Sequence, residues 1–342
     1  IFIVNGAECE PLLRVDQQLM AQRAEELMRG LRYGMEATGA QEGIIALKAK
    51  YKPAIAALEP LLPANVRLHY LKDVYPAGDE VITIWMATGR RVPPARRPGD
   101  VGVAVNNVMT LINVARAVDE GAPVILRPVT VTGAVKTPLT VTVPIGTPMA
   151  ELVALAGGPT IPNVAYVGGG PMMGQAIASL DVPITKGVSG VLVFRREDML
   201  ERESRQTYPC IKCGECVESC PMGLNPSTLG MLAAKREYDL MGEQYFLGDC
   251  FECGCCTYVC PSSIPLVQQF RVAKLLAYGD TREQALARMR SALTETVVEG
   301  IKTNAPLHRE LLVDAKFMDG GTNIHYLEHW MEARKGLLNS KP

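Results

Sequence analysis

The chain has 342 residues and a formal net charge of −1, and hydrophobic residues make up 48% of it. This length allows two or three domains, and a net charge near zero gives no electrostatic reason to expect nucleic acid or an anionic membrane surface as a partner. The longest apolar stretch, 101–117, is interrupted by Asn106, Asn107 and Asn113, so we expect no membrane span. Eight of the ten cysteines recur at a regular spacing, with no other mark of a secreted scaffold, which indicates a reducing, cytoplasmic compartment.

Residues 1–121 alternate strand and helix patterns, which predicts an α/β domain. The predicted strands cover 1–5, 66–71 and 101–105. The predicted helices cover 15–35, 44–51, 53–62, 78–87 and 108–118. Since the first strand begins at Ile1 without a lead-in, we expect that a preceding segment is missing from this chain.

Three polar clusters lie at the ends of predicted strands, at 5–11, 75–80 and 106–110. In open α/β sheets, ligands bind beyond the carboxyl ends of the strands. Asparagine side chains can pair with both the donor and the acceptor groups of a flavin ring, and a glycine such as Gly78 lets backbone approach a ligand closely. Each cluster taken alone is better explained by ordinary turn chemistry.

Residues 122–194 change character, because helical periodicity fades and short β runs appear. Predicted strands cover 124–126, 130–133, 139–143, 164–167 and 190–194, with one short helix over 149–156. Two strands, a helix and further strands predict a small β-grasp-like module. The triple glycine 168–170 does not lead into a G-x-G-x-x-G pattern, so we interpret it as a tight turn rather than a phosphate site.

Residues 195–280 contain the most specific pattern of the chain, C-x2-C-x2-C-x3-C-P written twice, at 210–221 and again at 250–261. This run is the bacterial ferredoxin pattern for [4Fe–4S] clusters, in which the cysteine before proline ligates the other cluster. We therefore assign the ligands of the first cluster as Cys210, Cys213, Cys216 and Cys260. The ligands of the second cluster are Cys250, Cys253, Cys256 and Cys220.

Zinc binding and disulfide formation stay open as alternative roles for the cysteines. Structural zinc takes four ligands, usually as two C-x2-C pairs or Cys/His mixtures, and disulfides belong to secreted scaffolds. Cys255 is out of phase with the repeat, so we interpret it as a packed thiol rather than a ligand.

The segments around the cysteine motifs are predicted to be helical. A charged linker at 195–208 predicts a solvated helical face, 227–238 a spacer helix and 264–276 a closing helix. In the tail, 281–342, we predict one helix over 283–298 and then an irregular segment. We assign no chemistry to the tail histidines His308, His325 and His329.

The polar clusters together resemble the flavin domain of the Rnf-type C-subunit family, through 3–11, 75–80, 88–93 and 106–108. That domain is similar to the NADH- and flavin-binding subunit of respiratory complex I. The resemblance covers about residues 1–275 and implies an α/β flavin domain, a β-grasp (SLBB) module and an α-helical two-cluster ferredoxin-like domain. The segment from Cys250 to Arg271 is also typical of the family.

The resemblance implies a site for FMN and NADH. Its residues would be Asn5, Glu8, Glu10, Gly78, Asp79, Glu80, Asn106, Asn107 and Thr110. Ala7 stands where the complex I relative has an acidic residue. The family's glycine-rich loop, which holds the flavin phosphate, should precede Ile1, so we expect flavin and NADH binding by this chain alone to be impaired.

Within the family, the insert at 37–51 resembles the branch that reduces cobalamin in propanediol-utilisation microcompartments. This implies a path from NADH through FMN and two [4Fe–4S] clusters to cobalamin, with a corrinoid adenosyltransferase and a microcompartment shell protein as partners. Two alternative functions stay open. One is a peripheral Rnf subunit exchanging electrons between NADH and ferredoxin, and the other is a non-catalytic electron relay.

Overall fold

The structure is a computed structural model that describes residues 1–203, 206–274, 281–295, 305–320 and 325–331. The chain divides into two compact units, 1–270 and 271–342. The first unit contains two β-sheets and the cysteine repeat.

A four-stranded parallel sheet organises the N-terminal third. Its strands are β1 (Phe2–Gly6), β2 (Gly43–Lys48), β3 (Val66–Leu71) and β4 (Ala104–Asn107), in the order β3-β2-β1-β4. All neighbours run parallel, and Asn5 of β1 lies opposite Asn107 of β4. The strand order reverses between β1 and β4, and a reversal of this kind opens a ligand crevice at the carboxyl edge of a sheet.

Helices cover both faces of this sheet. They are α1 (Val15–Gln22), α2 (Ala24–Thr38), α3 (Lys52–Leu58), α4 (Glu80–Thr88) and α5 (Val108–Glu120). One face packs against α1, α2, α3 and α5 through a core that includes Phe2 and Leu27, and the other packs against α4 through Ile3 and Ile84. Burial on both faces explains why β2 is apolar without alternation.

Three predicted elements of this domain are wrong in detail. The stretch 44–51, predicted as a helix, forms β2, because an apolar run buried on both faces carries no strand periodicity. The single helix predicted over 15–35 breaks at Arg23, whose backbone leaves the helical region at φ −130° and ψ 34°. The strand predicted over 101–105 begins only at Ala104, because Pro98–Val101 forms a 3-10 turn.

A five-stranded mixed sheet follows. It contains β5 (Leu126–Gly133), β6 (Leu139–Pro144), β7 (Val164–Gly168), β8 (Gln175–Ile177) and β9 (Gly190–Arg195), in the order β6-β5-β9-β7-β8. The pair β5–β9 is parallel and the other pairs are antiparallel. Helix α6 (Met149–Leu155) packs its Leu152 and Val153 against the sheet. Strand β5 contains the predicted run 130–133 and only Leu126 of the predicted run 124–126, and the sequence pattern does not predict the three-residue β8.

The cysteine segment is helical and repeats itself. Its helices are α7 (Arg196–Glu203), α8 (Glu215–Glu218), α9 (Pro226–Lys235), α10 (Tyr238–Glu243), α11 (Cys255–Val259) and α12 (Leu266–Lys274). A short helix starts after the second cysteine of each motif, and a longer one follows each Cys-Pro pair. The predicted closing helix reaches Lys274, and residues 275–276 lie outside the described residues.

The second unit is described only in part. It contains α13 (Arg282–Glu295), α14 (Ala305–Leu311), α15 (Ala315–Asp319) and a helical stretch over 326–331. The prediction of an irregular segment after the first tail helix is wrong, because Asp314 caps α15 and also accepts hydrogen bonds from Tyr326 and Trp330. Residues 296–298 of the predicted tail helix lie outside the described residues. In the described part of the chain, every helix is too short or too polar to cross a bilayer.

Candidate functional site

The carboxyl edge of the parallel sheet gathers the predicted polar clusters. The side-chain amide of Asn5, near the end of β1, donates to the carbonyl oxygen of Gly78 at 2.7 Å. Its side-chain oxygen accepts from the backbone N–H of Ala7 at 3.2 Å. Asn5 thus joins the loop after β1 to the loop before α4, which are 73 positions apart.

Gly78 is required at this edge by close packing. A Cβ built on Gly78 would lie 2.9 Å from the sulfur of Cys9 and 3.2 Å from the Cβ of Ala7. A side chain at position 78 would therefore force Cys9 and Ala7 to move away, and glycine lets the two loops approach this closely.

Two of the predicted site residues cap helices. Asp79 accepts from the backbone N–H groups of Val81 and Ile82 at 2.9 and 3.1 Å, and Asn107 accepts from that of Met109 at 2.8 Å. Such caps satisfy the unpaired N–H groups of the first helical turn. Both helices therefore direct their N-termini, which favour negative charge, toward the carboxyl edge.

The remaining predicted residues at this edge differ in exposure. Asn106 is half-buried in β4, whereas Glu80 and Thr110 are exposed at the starts of α4 and α5. Although Glu80 is exposed, the loss of part of its hydration, followed by repulsion from Asp79, raises its pKa.

Glu8 and Asp16 form a carboxylate pair beside the strand-order reversal. Glu8 accepts from the backbone N–H groups of Asp16 and Gln17 at 3.0 and 3.3 Å, and Asn107 donates to Asp16 at 2.8 Å. Burial, with the neighbouring Glu8 as the second cause, raises the pKa of Asp16 to about 7. The Asn107 amide and the positive charge of Arg127 oppose that rise. Burial raises the pKa of Glu8 as well.

A cleft of about 650 Å³ opens at the same edge, beside the ends of β2 and β3. Lys48 at the end of β2 is only 5% exposed and contacts Asp73 at 3.0 Å, while the exposed Lys50 contacts the same carboxylate at 2.7 Å. Hydrogen bonds from Lys50 and then Lys48 lower the pKa of Asp73. Tyr51, also in the lining, donates its hydroxyl to the carbonyl oxygen of Ala7 at 2.9 Å.

Glu10 connects this edge to the mixed sheet. Its carboxylate accepts from the backbone N–H groups of Met172 and Met173 at 3.0 and 2.8 Å, in the loop between β7 and β8. A Cβ on Gly170 would lie 2.2 Å from the Glu10 carboxyl group, so a side chain at this position would displace the carboxylate. The carboxylate that the resemblance assigns to flavin or NADH therefore also holds the β-grasp module in place.

The first set of predicted cluster ligands lines one cavity. Cys210, Cys213, Cys216 and Cys260 all border a space of about 260 Å³, although Cys260 belongs to the other cysteine motif. Burial, followed by the three neighbouring thiols of this set, raises the pKa of Cys216. The structure thus places Cys260 of the second motif beside the first motif, and the assignment of these four cysteines as ligands of one cluster stays a prediction.

The second set lies deeper in the protein. Cys253 and Cys256 are 9% and 7% exposed, and burial raises the pKa of both thiols to about 12. Cys250 and Cys220 lie close enough to Cys256 to contribute to its rise. Iron must supply the positive charge that makes such buried sulfurs effective thiolate ligands.

Matching turns shape both motifs. Lys212 and Glu252 have positive φ of 56° and 63°, and Gly214 and Gly254 follow at 88° and 83°. The N–H of Lys212 donates to the sulfur of Cys210 at 3.4 Å. In each motif, two residues with left-handed backbone conformation fold the C-x2-C-x2-C run around one centre. A hydrogen bond to a ligand sulfur is one of the features that set the reduction potential of an iron–sulfur cluster.

The cavity lined by the first donor set suits a cubane cluster. Among the described residues, no three His, Cys, Asp or Glu side chains are arranged to hold one metal ion. A zinc site would need four ligands around one point, whereas four cysteine thiolates around an open cavity suit a four-iron cluster.

Sequence reasoning misses several residues of this edge. Lys48 follows an apolar run whose pattern predicts a helix, so its place at a strand end is not evident. Asp16 and Arg127 meet only through the contact between the two sheets. Tyr75 belongs, by sequence, to an ordinary turn, yet its hydroxyl donates to the carbonyl oxygen of Cys253 at 2.8 Å.

Family models match the domains in the predicted order. Residues 1–116 match the Nuo51 FMN-binding domain, 128–176 the SLBB domain and 199–264 the 4Fe-4S dicluster domain. The predicted fold class is therefore confirmed: a complex I-like flavin domain, a β-grasp module and a two-cluster ferredoxin-like domain. Residues 269–329 also match the biotin carboxylase C-terminal domain, from which we propose no function because the match covers only a short C-terminal stretch.

The chain is also similar to individual curated proteins. The chain is 53% identical over 232 residues to "Cobalamin reductase PduS" of Citrobacter freundii, covering 65% of this chain and 51% of that protein. It is 38% identical over 226 residues to the C subunit of an ion-translocating oxidoreductase complex of Rhodobacter capsulatus, covering 65% of this chain and 43% of that protein. The predicted resemblance is confirmed, and the chain spans about half the length of the relatives it matches.

A solved structure shares the fold. The air-oxidized state of NAD+-reducing [NiFe]-hydrogenase superposes with a TM-score of 0.53 at 19% identity, covering 90% of this chain and 59% of that chain. At this identity the likeness concerns the fold alone.

Proposed function

We propose that this chain is the electron-transfer part of an NADH-linked flavo-iron–sulfur oxidoreductase that reduces cobalamin. Electrons would pass from NADH through FMN and two [4Fe–4S] clusters to cob(III)alamin or cob(II)alamin, so that inactive cobalamin is reactivated. The observation that carries this proposal is the attachment of a segment with two four-cysteine sets to the carboxyl edge of a parallel sheet.

The proposed flavin- and NADH-binding residues lie at the carboxyl edge of the parallel sheet. Asn5, Glu8, Glu10, Gly78, Asp79, Glu80, Asn106, Asn107 and Thr110 are the proposed flavin and NADH residues. The two capped helix N-termini favour the negative charge of a nucleotide, and Gly78 keeps the loops close to it. A bound flavin would accept a hydride and release single electrons, which suits one-electron clusters.

The cysteine ligands are proposed as two crossed sets. Cys210, Cys213, Cys216 and Cys260 would hold the first cluster, and Cys250, Cys253, Cys256 and Cys220 the second. Burial of the second set and exposure of Cys210 and Cys213 give the two centres different surroundings. Solvent exposure and hydrogen bonds to the sulfurs are what set cluster potentials.

The acceptor is proposed from the relatives. The 53% identity to a protein named cobalamin reductase supports cobalamin. From the resemblance alone we also propose a corrinoid adenosyltransferase and a microcompartment shell protein as partners, inside a bacterial microcompartment. The 38% identity to a subunit of an ion-translocating oxidoreductase supports a second candidate, in which ferredoxin exchanges electrons with NADH in a peripheral Rnf-type subunit.

Anaerobic NADH oxidation by the complete natural protein tests this proposal. The protein is reconstituted with iron, sulfide and FMN, and cob(II)alamin and ferredoxin are offered separately. We expect loss of the cob(II)alamin spectrum with NADH, and loss of that activity in Cys253→Ala but not in Cys255→Ala, whose cysteine is out of phase with the repeat. Turnover with ferredoxin alone would favour the Rnf-type subunit, and intact clusters without NADH oxidation would leave an electron relay.

A further inference from the structure

The second cysteine motif is attached to the carboxyl edge through Tyr75. The Tyr75 hydroxyl donates to the backbone carbonyl of Cys253 at 2.8 Å, across 178 positions of sequence. Tyr75 lies three residues before Gly78, whose own carbonyl accepts from Asn5. One short loop therefore contacts both β1 and the second motif.

The loop of the mixed sheet closes the same junction. Met172 donates its N–H to Glu10, and a Cβ built on Gly254 would lie 3.6 Å from the carbonyl oxygen of Met172. Glu10, Tyr75, Met172 and Cys253 thus bring the α/β domain, the β-grasp module and the second motif together at one place.

A second contact holds the start of this motif. The backbone N–H of Ala95, in the loop after α4, donates to the Asp249 carboxylate at 2.9 Å, immediately before Cys250. The α/β domain is therefore hydrogen-bonded to the segment of the second motif at two points, through Tyr75 and Ala95.

The first motif has different neighbours. Tyr208 and Ile211 beside it are 56% and 67% exposed, and Cys210 and Cys213 are exposed as well. The hydrogen bonds that flank it, from Tyr208 N–H to the Ser262 carbonyl and from the Ser262 hydroxyl to the Pro209 carbonyl, remain inside the cysteine segment. The second four-cysteine set, the second centre, therefore faces the sheet edge, and the first set, the first centre, faces solvent.

We propose that Tyr75 is a positioning residue that makes the second centre the entry point for electrons and leaves the first centre as the exit. This inference rests on the proposed function. Each NADH loses two electrons and releases one proton as it becomes NAD+. A bound flavin would take both electrons as the hydride and give them up singly, first to a cluster held by the Cys253 set and from there to one held by the Cys213 set, which would pass each electron to the acceptor.

Matched cysteine variants of the complete protein test the order. Cys213→Ala removes a ligand of the first four-cysteine set, and Cys253→Ala removes a ligand of the second. In each variant, electron paramagnetic resonance after rapid freezing follows reduction of the remaining cluster, and the iron content shows that this cluster has assembled. We expect NADH to reduce the remaining centre of Cys213→Ala at the wild-type rate. In Cys253→Ala, NADH should reduce the remaining centre at least tenfold more slowly, although dithionite reduces it fully. The opposite pattern overturns the proposal.

A Tyr75→Phe variant tests the positioning role without NADH, with Tyr70→Phe on the exposed side of β3 as its control. Loss of one partly buried hydrogen bond should speed amide hydrogen exchange over 249–256 by roughly fivefold and leave 210–216 unchanged. Unchanged exchange in both motifs, or an equal increase, overturns the role of Tyr75. A wild-type protein that dithionite reduces but NADH does not would refute the proposed function instead, and the exchange result would still decide on Tyr75.

Discussion

Asp16 shows how a single residue depends on its tertiary neighbours. In sequence it is an ordinary acidic residue in the first turn of α1, where a negative charge is favourable. In the structure it faces Glu8, Asn107 and Arg127. The cost of burying its charge beside another carboxylate exceeds the help from the helix dipole, so its pKa rises.

This rise predicts a pH dependence of stability. The folded state keeps a proton on Asp16 up to about pH 7, whereas the unfolded chain loses it near the usual aspartate pKa of 3.8. The folded state therefore binds more protons between these values, and stability falls as pH increases through that window. We expect Asp16→Asn to raise the free energy of unfolding by roughly 2 kcal/mol more at pH 8 than at pH 5.

Urea unfolding followed by the fluorescence of Trp85, in a Trp330→Phe background, measures this difference for the α/β domain. The exposed Asp198→Asn serves as the control, and it should show no such pH dependence. An effect of Asp16→Asn that is equal at both pH values would contradict the assigned burial.

Elements pack closely where glycine replaces a side chain. Helices α2 and α5 cross at Gly30, where a Cβ would lie 2.0 Å from the carbonyl oxygen of Leu111. That atom belongs to a helix backbone and cannot move without shifting α5. In an isolated helix, glycine at this position would only weaken the helix.

We therefore expect Gly30→Ala to destabilise the α/β domain by about 1–3 kcal/mol, through forced separation of the two helices. Gly242→Ala in α10 is a matched control, because apart from its chain neighbours and the adjacent backbone of its own helix nothing lies within 4 Å of its Cβ position. The control should be neutral or slightly stabilising. Urea unfolding measures both variants, and equal effects would rule out the close helix contact as the cause.

The element scale also shows where pattern reasoning fails. The sequence predicts the positions of strand β3 and helix α5 closely. Strand β2 is buried on both faces, so its apolar run carries neither a period of 2 nor one of 3.6. Strand β8 pairs along only three residues, and nothing in its own sequence specifies a strand.

At the scale of the molecule, metal content and folding should be linked in one segment only. The two sheets have their own apolar cores, whereas the residues around 210–261 are short helices between cysteines. Removing a structural metal centre costs the folding free energy that its binding supplies.

We expect anaerobic removal of iron by a chelator to increase amide exchange over 206–270 by at least tenfold, while β1, β2, β5 and β9 stay protected. Hydrogen exchange with mass spectrometry measures all these segments in one sample. The comparison with protein carrying intact clusters is the control. Uniform loss of protection across both sheets would show that the clusters support the whole first unit.

The amino-acid sequence by itself determined the cluster chemistry and the order of the domains. Cysteine spacing encodes cluster binding directly, because three ligands lie within one short turn. The resemblance also indicated the polar residues of the sheet edge, and their role in binding FMN and NADH remains a proposal. The domain boundaries 1–121, 122–194, 195–280 and 281–342 likewise remain a prediction.

Only the tertiary structure decided what those residues face. It brought Glu10 to the β-grasp loop and Tyr75 to Cys253. These contacts join positions far apart in sequence, and no local pattern specifies the partners that meet there. Local periodicity determines which face of an element is buried, whereas the meeting of three domains at one loop is set by how their surfaces pack.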